Sequence, residues 1–114
     1  RMLFVINPTA ARGRALREWE QARRQLRQRG IQFSEYMTSR SGEASKATRQ
    51  ALQAGEACIV AVGGDGTLNE VASGYFDESG QPVNPQACLG LLPCGTGSDF
   101  CRSVGLSNRG IALQ

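Results

Sequence analysis

Apolar positions along this chain follow two periods, and the two alternate. Leu3 to Ile6 is a continuous apolar run stopped by Asn7-Pro8, the pattern of a buried strand with a loop at its C-terminal end. Leu16, Trp19, Ala22 and Leu26 then recur at helical spacing in a polar stretch that ends at Gly30. That spacing predicts an amphipathic helix closed by a glycine C-cap. Ile31, Phe33 and Tyr36 mark a second strand with looser alternation, and Thr38 to Gly42 a polar loop. Ala44, Ala47, Ala51 and Ala54 trace a small-residue helix face ending at Gly55, able to lie close against a sheet. Ala57 to Val62 is the strongest strand, apolar at every position as in a central parallel strand. It runs into Gly63-Gly64-Asp65-Gly66. Thr67-x-x-Glu70 reads as a capping box, with Leu68, Val71, Ala72 and Tyr75 as the stripe of a third helix. Asp77 to Gln86 is a turn-rich loop. Ala87 to Leu92 predicts a fourth strand closed by Pro93, followed by Gly95-Thr96-Gly97 and a short helix through Phe100 and Val104 to Gly105.

The order β-α-β-α-β-α-β-α predicts an α/β fold, a Rossmann-like, three-layer nucleotide-binding domain. Its sheet is parallel, with helices on both faces and right-handed crossovers. In such sheets ligands bind beyond the carboxyl ends of the strands. Asn7-Pro8, Thr38 to Gly42, Gly63 to Thr67 and Gly95 to Asp99 each follow a predicted strand, so all four loops are expected to converge on one sheet edge.

Composition narrows the chemistry. With 40% hydrophobic and 20% charged residues over 114 positions, the chain is an ordinary globular domain rather than a disordered one. No apolar run is long enough to cross a bilayer, and RMLFVINPTA lacks a signal-peptide layout, so a cytosolic protein is expected. The net charge of +3 is unevenly spread: residues 1–49 carry eleven Lys or Arg against four Asp or Glu, and residues 50–114 two against six. Arg17, Arg24 and Arg27 read as a solvated helix face, or as a face for an anionic partner such as a membrane surface. The chain has no histidine, and its cysteines (Cys58, Cys88, Cys94, Cys101) include no CxxC pair. A zinc site and histidine catalysis therefore fall away, and the thiols read as reduced.

Gly63-Gly64-Asp65-Gly66-Thr67 joins a buried strand to a capped helix. Glycines let a ligand approach the backbone, and exposed N–H groups at a helix N-terminus favour phosphate. Asp65 alone would repel a phosphate; it makes sense where it meets Mg²⁺ or accepts a hydroxyl proton. The bland alternative is a tight turn with an acidic cap. Thr96, flanked by Gly95 and Gly97, would face this loop from a second strand. There is no Walker GxxxxGK, and no GxGxxG follows the first strand.

NPTAARGRA, TSRSGEA, VGGDGTLNEV and GLLPCGTGSDFCR, in that order from about Met2 to Val104, resemble the diacylglycerol kinase catalytic domain, whose relatives include sphingosine and ceramide kinases. The resemblance implies a lipid kinase that moves the γ-phosphate of ATP to a lipid hydroxyl such as that of diacylglycerol, with Mg²⁺. It implies ATP contacts from Asn7, Thr38, Gly63, Gly64, Asp65, Gly66, Thr67, Leu68, Asn69 and Thr96. Asp65 would sit near Mg²⁺ or the transferred group, and Glu70, Gly95 and Gly97 would support these residues from behind. Two departures stand out: the family's first motif usually has glycine near Ala11, and Ser98 replaces an asparagine. The resemblance also implies a β-rich lipid-binding domain after Gln114 that carries the main catalytic base. Residues 1–114 are thus expected to be the N-terminal ATP-binding half, inactive alone and prone to self-association as a homodimer. ATP, a lipid and an anionic membrane surface are the expected partners, with no nucleic acid and a cytoplasmic place at the inner membrane face. An NAD-kinase-like enzyme shares a GGDG loop, but LNEV and LPCGTGSDF favour the lipid kinases. A non-catalytic nucleotide-binding module is the other class, and turnover by the full-length protein separates it.

Overall fold

The computed structural model describes residues 1–93, 104–107 and 110–113. Four strands, β1 (Met2–Ile6), β2 (Phe33–Met37), β3 (Cys58–Gly63) and β4 (Cys88–Pro93), form one parallel sheet in the order β2-β1-β3-β4. Helices α1 (Arg14–Gln28), α2 (Glu43–Gln53) and α3 (Asp65–Ser73) connect them. The α/β, parallel-sheet expectation therefore holds. From β1 the chain steps to β2 at the edge, then returns past β1 to β3 and on to β4. The direction of winding reverses between β1 and β3, which makes that gap the topological switch point.

Strand periodicity sorts the side chains into two cores. Phe4, Ile6, Val60, Val62 and Leu92 point to one face and meet Trp19, Ala22 and Leu26 of α1. Leu3, Val5, Ile59 and Ala61 point to the other, against Ala44 and Leu52 of α2 and Val71 of α3. β1 and β3 are buried at every position, as their unbroken apolar runs predict. Trp19 is fully buried, 4.6 Å from the Phe4 ring and edge-on to Phe33 at 5.7 Å. Its indole N–H donates to Glu35 Oε1 (2.9 Å), so its polar atom is also satisfied. α1 ends as expected at Gly30: the Ile31 N–H bonds the Leu26 carbonyl (3.0 Å) and the Gly30 N–H that of Arg27 (3.1 Å), a Schellman motif.

Several details depart from the pattern. The buried stripe of α2 is Ala44, Thr48 and Leu52 rather than an alanine row, and Ala54 is exposed. Thr48 falls between Ala44 and Leu52 at the helical period, and the end of α3 packs on it: a Cβ at Gly74 would lie 2.5 Å from the Ser45 carbonyl and 2.7 Å from Thr48 Cβ. Tyr36 and Met37, on the edge strand, are exposed. The expected capping box does not form. α3 starts at Asp65, with Gly64 as its cap and no side-chain cap bond, which puts Thr67 inside the first turn. The short helix expected through Phe100 and Val104 is also corrected. Phe100 lies outside the described residues, but Val104 and Gly105 belong to β5 (Val104–Ser107), antiparallel to β6 (Gly110–Leu113). Two residues separate these strands, a hairpin spacing, and Gly105 is a poor helix former.

Candidate functional site

Three loops leave the carboxyl end of the sheet side by side. After β1, the Asn7 N–H donates to the Val62 carbonyl (3.2 Å), which keeps β1 and β3 paired up to the turn. Asn7 Oδ1 accepts from the Thr9 N–H (3.2 Å) and the Thr9 hydroxyl (2.9 Å), an Asx turn. The chain then passes through a short 3₁₀ turn (Ala10–Gly13) into α1. Ala11 and Arg12 sit at φ +54° and +58°, a left-handed conformation that costs a non-glycine residue about 1–2 kcal/mol. Ala11 is where the motif comparison leads one to expect glycine. Gly13 does not relieve this strain, because it serves instead as the cap of α1.

After β2, the Thr38 N–H and hydroxyl both donate to the Ile6 carbonyl (2.9 and 3.3 Å). The following loop is held by two carboxylates. Glu43 Oε1 accepts from the backbone N–H groups of Ser39 (2.6 Å) and Arg40 (3.4 Å), and the Ser39 hydroxyl also donates to Glu43. The Ser39 N–H above all holds the Glu43 carboxyl below its ordinary value, and the nearby Arg40 charge adds to this. Glu70 reaches across from α3 and accepts from the Gly42 N–H (2.9 Å). Glu70 thus ties α3 to the loop before α2 rather than closing a capping box.

After β3, Gly63 takes φ +153° and lies directly over Thr67, where a Cβ would meet Thr67 Oγ1 at 2.6 Å. Only glycine makes this turn without strain. Asp65 and Gly66 are exposed in the first turn of α3, and Asn69 is exposed further along the helix. The Leu68 side chain packs into the core beside α2.

A cavity of about 500 Å³ opens between the three loops, next to the switch point. Asn7, Thr38, Gly66, Thr67 and Glu70 line it together with Pro8, Thr9, Ser39, Arg40 and Ser41. Its volume is in the ordinary range for small-molecule sites. Gly63, Gly64, Asp65, Leu68 and Asn69 do not line it. The glycines shape the turn, Leu68 anchors the helix, and Asp65 stands at the first position of α3. Thr96, Gly95 and Gly97, with the rest of the Gly95 to Asp99 loop, lie outside the described residues, as do Cys94 and Cys101; β4 ends at Pro93, in register with Gly63.

Arg40 was not singled out by the sequence, yet it is the one cation among the described residues lining the cavity. A basic residue in a polar loop directly after a strand is the signal that could have marked it. Among the described residues no three His, Cys, Asp or Glu side chains cluster to cage a metal. Asp65 is a single exposed carboxylate in the first turn of α3.

The sequence profile of the diacylglycerol kinase catalytic domain matches residues 1–113. The protein named "Probable lipid kinase YegS" of Escherichia fergusonii is 38% identical over 104 residues, 91% of this chain and 33% of that protein. A diacylglycerol kinase of Bacillus subtilis is 32% identical over 111 residues, 97% of this chain and 35% of the relative. A crystal structure of a diacylglycerol kinase from Bacillus anthracis superposes with a TM-score of 0.58 at 23% identity, covering 94% of this chain and 37% of the other, a likeness of fold. The chain spans about a third of the length of the relatives it matches.

Proposed function

The chain belongs to the diacylglycerol kinase catalytic domain family, and from that premise we propose that it is the ATP-binding half of a lipid kinase. In this reading the cavity between the β1, β2 and β3 loops holds the phosphates of ATP. The acceptor is a lipid hydroxyl such as that of diacylglycerol, and a further domain of the full-length protein holds the lipid and the main base. The observation that carries the reading is the polar cavity at the switch point, beside a turn only glycine can make. Thr9, Thr67 and Ser41 bring hydroxyls to its lining, and the exposed Gly66 brings backbone to the start of α3, where the helix dipole favours negative charge. Asn7 fixes the β1 loop through its own side chain, so the wall is formed before a ligand arrives.

Mg²⁺ supplies charge neutralisation between phosphates as they develop charge in the transition state. Asp65 is the residue of this chain that would meet it, and Glu70 is already committed to Gly42. Positioning of the acceptor hydroxyl can contribute about 7–11 kcal/mol of such a barrier, so the 114-residue chain alone is expected to leave lipid unphosphorylated.

Among the described residues no helix is long and apolar enough to cross a membrane. Arg17, Arg24 and Arg27 are exposed on α1, and in this reading they lean on an anionic membrane at its cytoplasmic face, each adding about 1 kcal/mol. The test is turnover of ATP with diacylglycerol micelles by full-length Asp65→Asn, whose shape is kept and charge lost. A fall of about 100-fold with unchanged folding is expected. Near-normal turnover would reduce Asp65 to a turn former, and absence of lipid phosphorylation by the unaltered full-length protein would overturn the kinase reading.

A further inference from the structure

The loop leading into α2 has the composition of a phosphate site, but three of its backbone donors are already taken. The N–H groups of Ser39 and Arg40 go to Glu43, and that of Gly42 goes to Glu70. Both acceptors are the protein's own carboxylates, and Glu70 lines the cavity. An anion arriving on this side therefore finds no free amides at these three positions, and it meets negative charge. What remains to attract it is the Arg40 side chain. Its guanidinium is close enough to Glu43 to help hold that carboxyl ionised, yet it forms no ion pair or hydrogen bond among the described residues. Arg12, in the turn after β1, and Lys46, on α2, do not line the cavity.

We propose that Arg40 is the residue that recognises the outer phosphates of the nucleotide, and that it sets the preference of this site for a polyphosphate over an uncharged nucleoside. The inference rests on the ATP-binding reading above and adds to it the group that lets a cavity with a carboxylate in its wall, Glu70, accept an anion. Guanidinium is suited to this task, since its planar fork can hold two phosphate oxygens at once and it stays charged at every working pH. The loop that carries it is stiff without the ligand. Thr38 is bonded to β1 on one side, Gly42 is bonded to α3 on the other, and Glu43 spans the residues between. Arg40 is thus held at the rim by a preformed backbone, and only its side chain needs to order on binding, which limits the entropic cost.

The same geometry assigns the two carboxylates a role in selectivity. With Glu43 and Glu70 accepting from these amides, a neutral ligand lacks the charge with which Arg40 pairs and gains much less from it than a phosphate does. Charge on the ligand is what Arg40 reads.

Calorimetric binding of MgATP and of adenosine to the full-length protein tests this, with Arg40→Gln and Arg40→Lys beside the unaltered protein. Arg40 is exposed and its side chain unbonded, so both variants are expected to keep the unaltered melting temperature. Arg40→Gln should weaken MgATP by at least about 10-fold, the loss expected for a charge-assisted hydrogen bond, and leave adenosine unchanged. Arg40→Lys should recover part of the MgATP affinity, because charge is restored without the fork. Unchanged MgATP affinity in Arg40→Gln would overturn the proposal and leave the ATP-binding reading standing. Equal loss of MgATP and adenosine would also overturn it, because it would make Arg40 a structural residue. If the unaltered protein binds neither ligand, the ATP-binding reading fails and this proposal falls with it.

Discussion

Replacing Gly63 by alanine tests how tightly the β3–α3 turn is built. On the present backbone the new Cβ would lie 2.6 Å from Thr67 Oγ1, 3.1 Å from Thr67 Cβ and 3.6 Å from Ala10 Cβ. Thr67 has little room to yield, being β-branched, buried to 6% exposure and fixed in the first turn of α3. Overpacking of this kind costs about 1–3 kcal/mol. The φ of +153° adds a second penalty, of about 1–3 kcal/mol for a residue with a side chain. The sum is about 2–6 kcal/mol, a large share of a small domain's stability. Gly64 supplies the control: it is extended at φ −104°, and a Cβ there meets nothing within 4 Å. Gly64→Ala should therefore change stability by less than about 0.5 kcal/mol. Urea unfolding midpoints at constant slope give both values. Thr67→Ala in the Gly63→Ala background removes the closest atom but keeps the Cβ contact and the φ. It should recover about 1 kcal/mol of the loss, within the coupling seen for contacting residues. If Gly63→Ala and Gly64→Ala unfold at the same midpoint, the turn is not the rigid glycine-dependent element argued above.

Thr48 Oγ1 is buried without a hydrogen-bond partner among the described residues, so Thr48→Val should raise stability by about 1–2 kcal/mol in the same unfolding assay; a loss of stability would reveal a partner for that hydroxyl. Ala11→Gly should relieve the left-handed strain at φ +54° and raise the melting point, with a net gain of about 0.5–1 kcal/mol after the entropy of glycine is set against it. For Glu43 the sign follows from its folded carboxyl being held below its ordinary value of 4.5. The stability it contributes is present above that value and is lost as pH falls through the lower folded value. The gap between the unaltered protein and Glu43→Gln should be constant near neutrality and shrink in acid, and a gap that grows in acid would contradict the assignment.

The sheet was legible because β1 and β3 are buried on both faces, so their apolar runs have no competing explanation. The helix ends were legible where glycine supplies a left-handed cap, as at Gly30 and Gly55. What escaped the sequence was non-local. Thr-x-x-Glu is the same string whether or not it caps, and the acceptor role of Glu70 is set by Gly42, 28 residues away. The alanine stripe of α2 is only partly right: the helical period carries the buried face from Ala44 through Thr48 to Leu52, and the alanines do not mark it because Gly74 packs against Thr48 there. At Val104 a weak local pattern suggests helix, whereas pairing with Gly110–Leu113 satisfies that backbone as a strand. Of the candidate site, Asn7, Thr38, Gly66, Thr67 and Glu70 meet at one cavity. Arg40 has no periodic signal, and only its place in a polar loop directly after a strand marks it.

The most direct test of the central claim, nucleotide binding at the carboxyl end of the sheet, is a titration of the ¹⁵N-labelled chain with MgATP followed by amide chemical shifts. The account predicts shifts at Asn7, Thr9, Thr38, Arg40, Gly66 and Thr67, which line the cavity. Gln32, Phe33 and Glu35, around a separate depression with Arg1 and Arg27, should stay unmoved. Shifts confined to that second group, or no shift in the first at millimolar nucleotide, would contradict it.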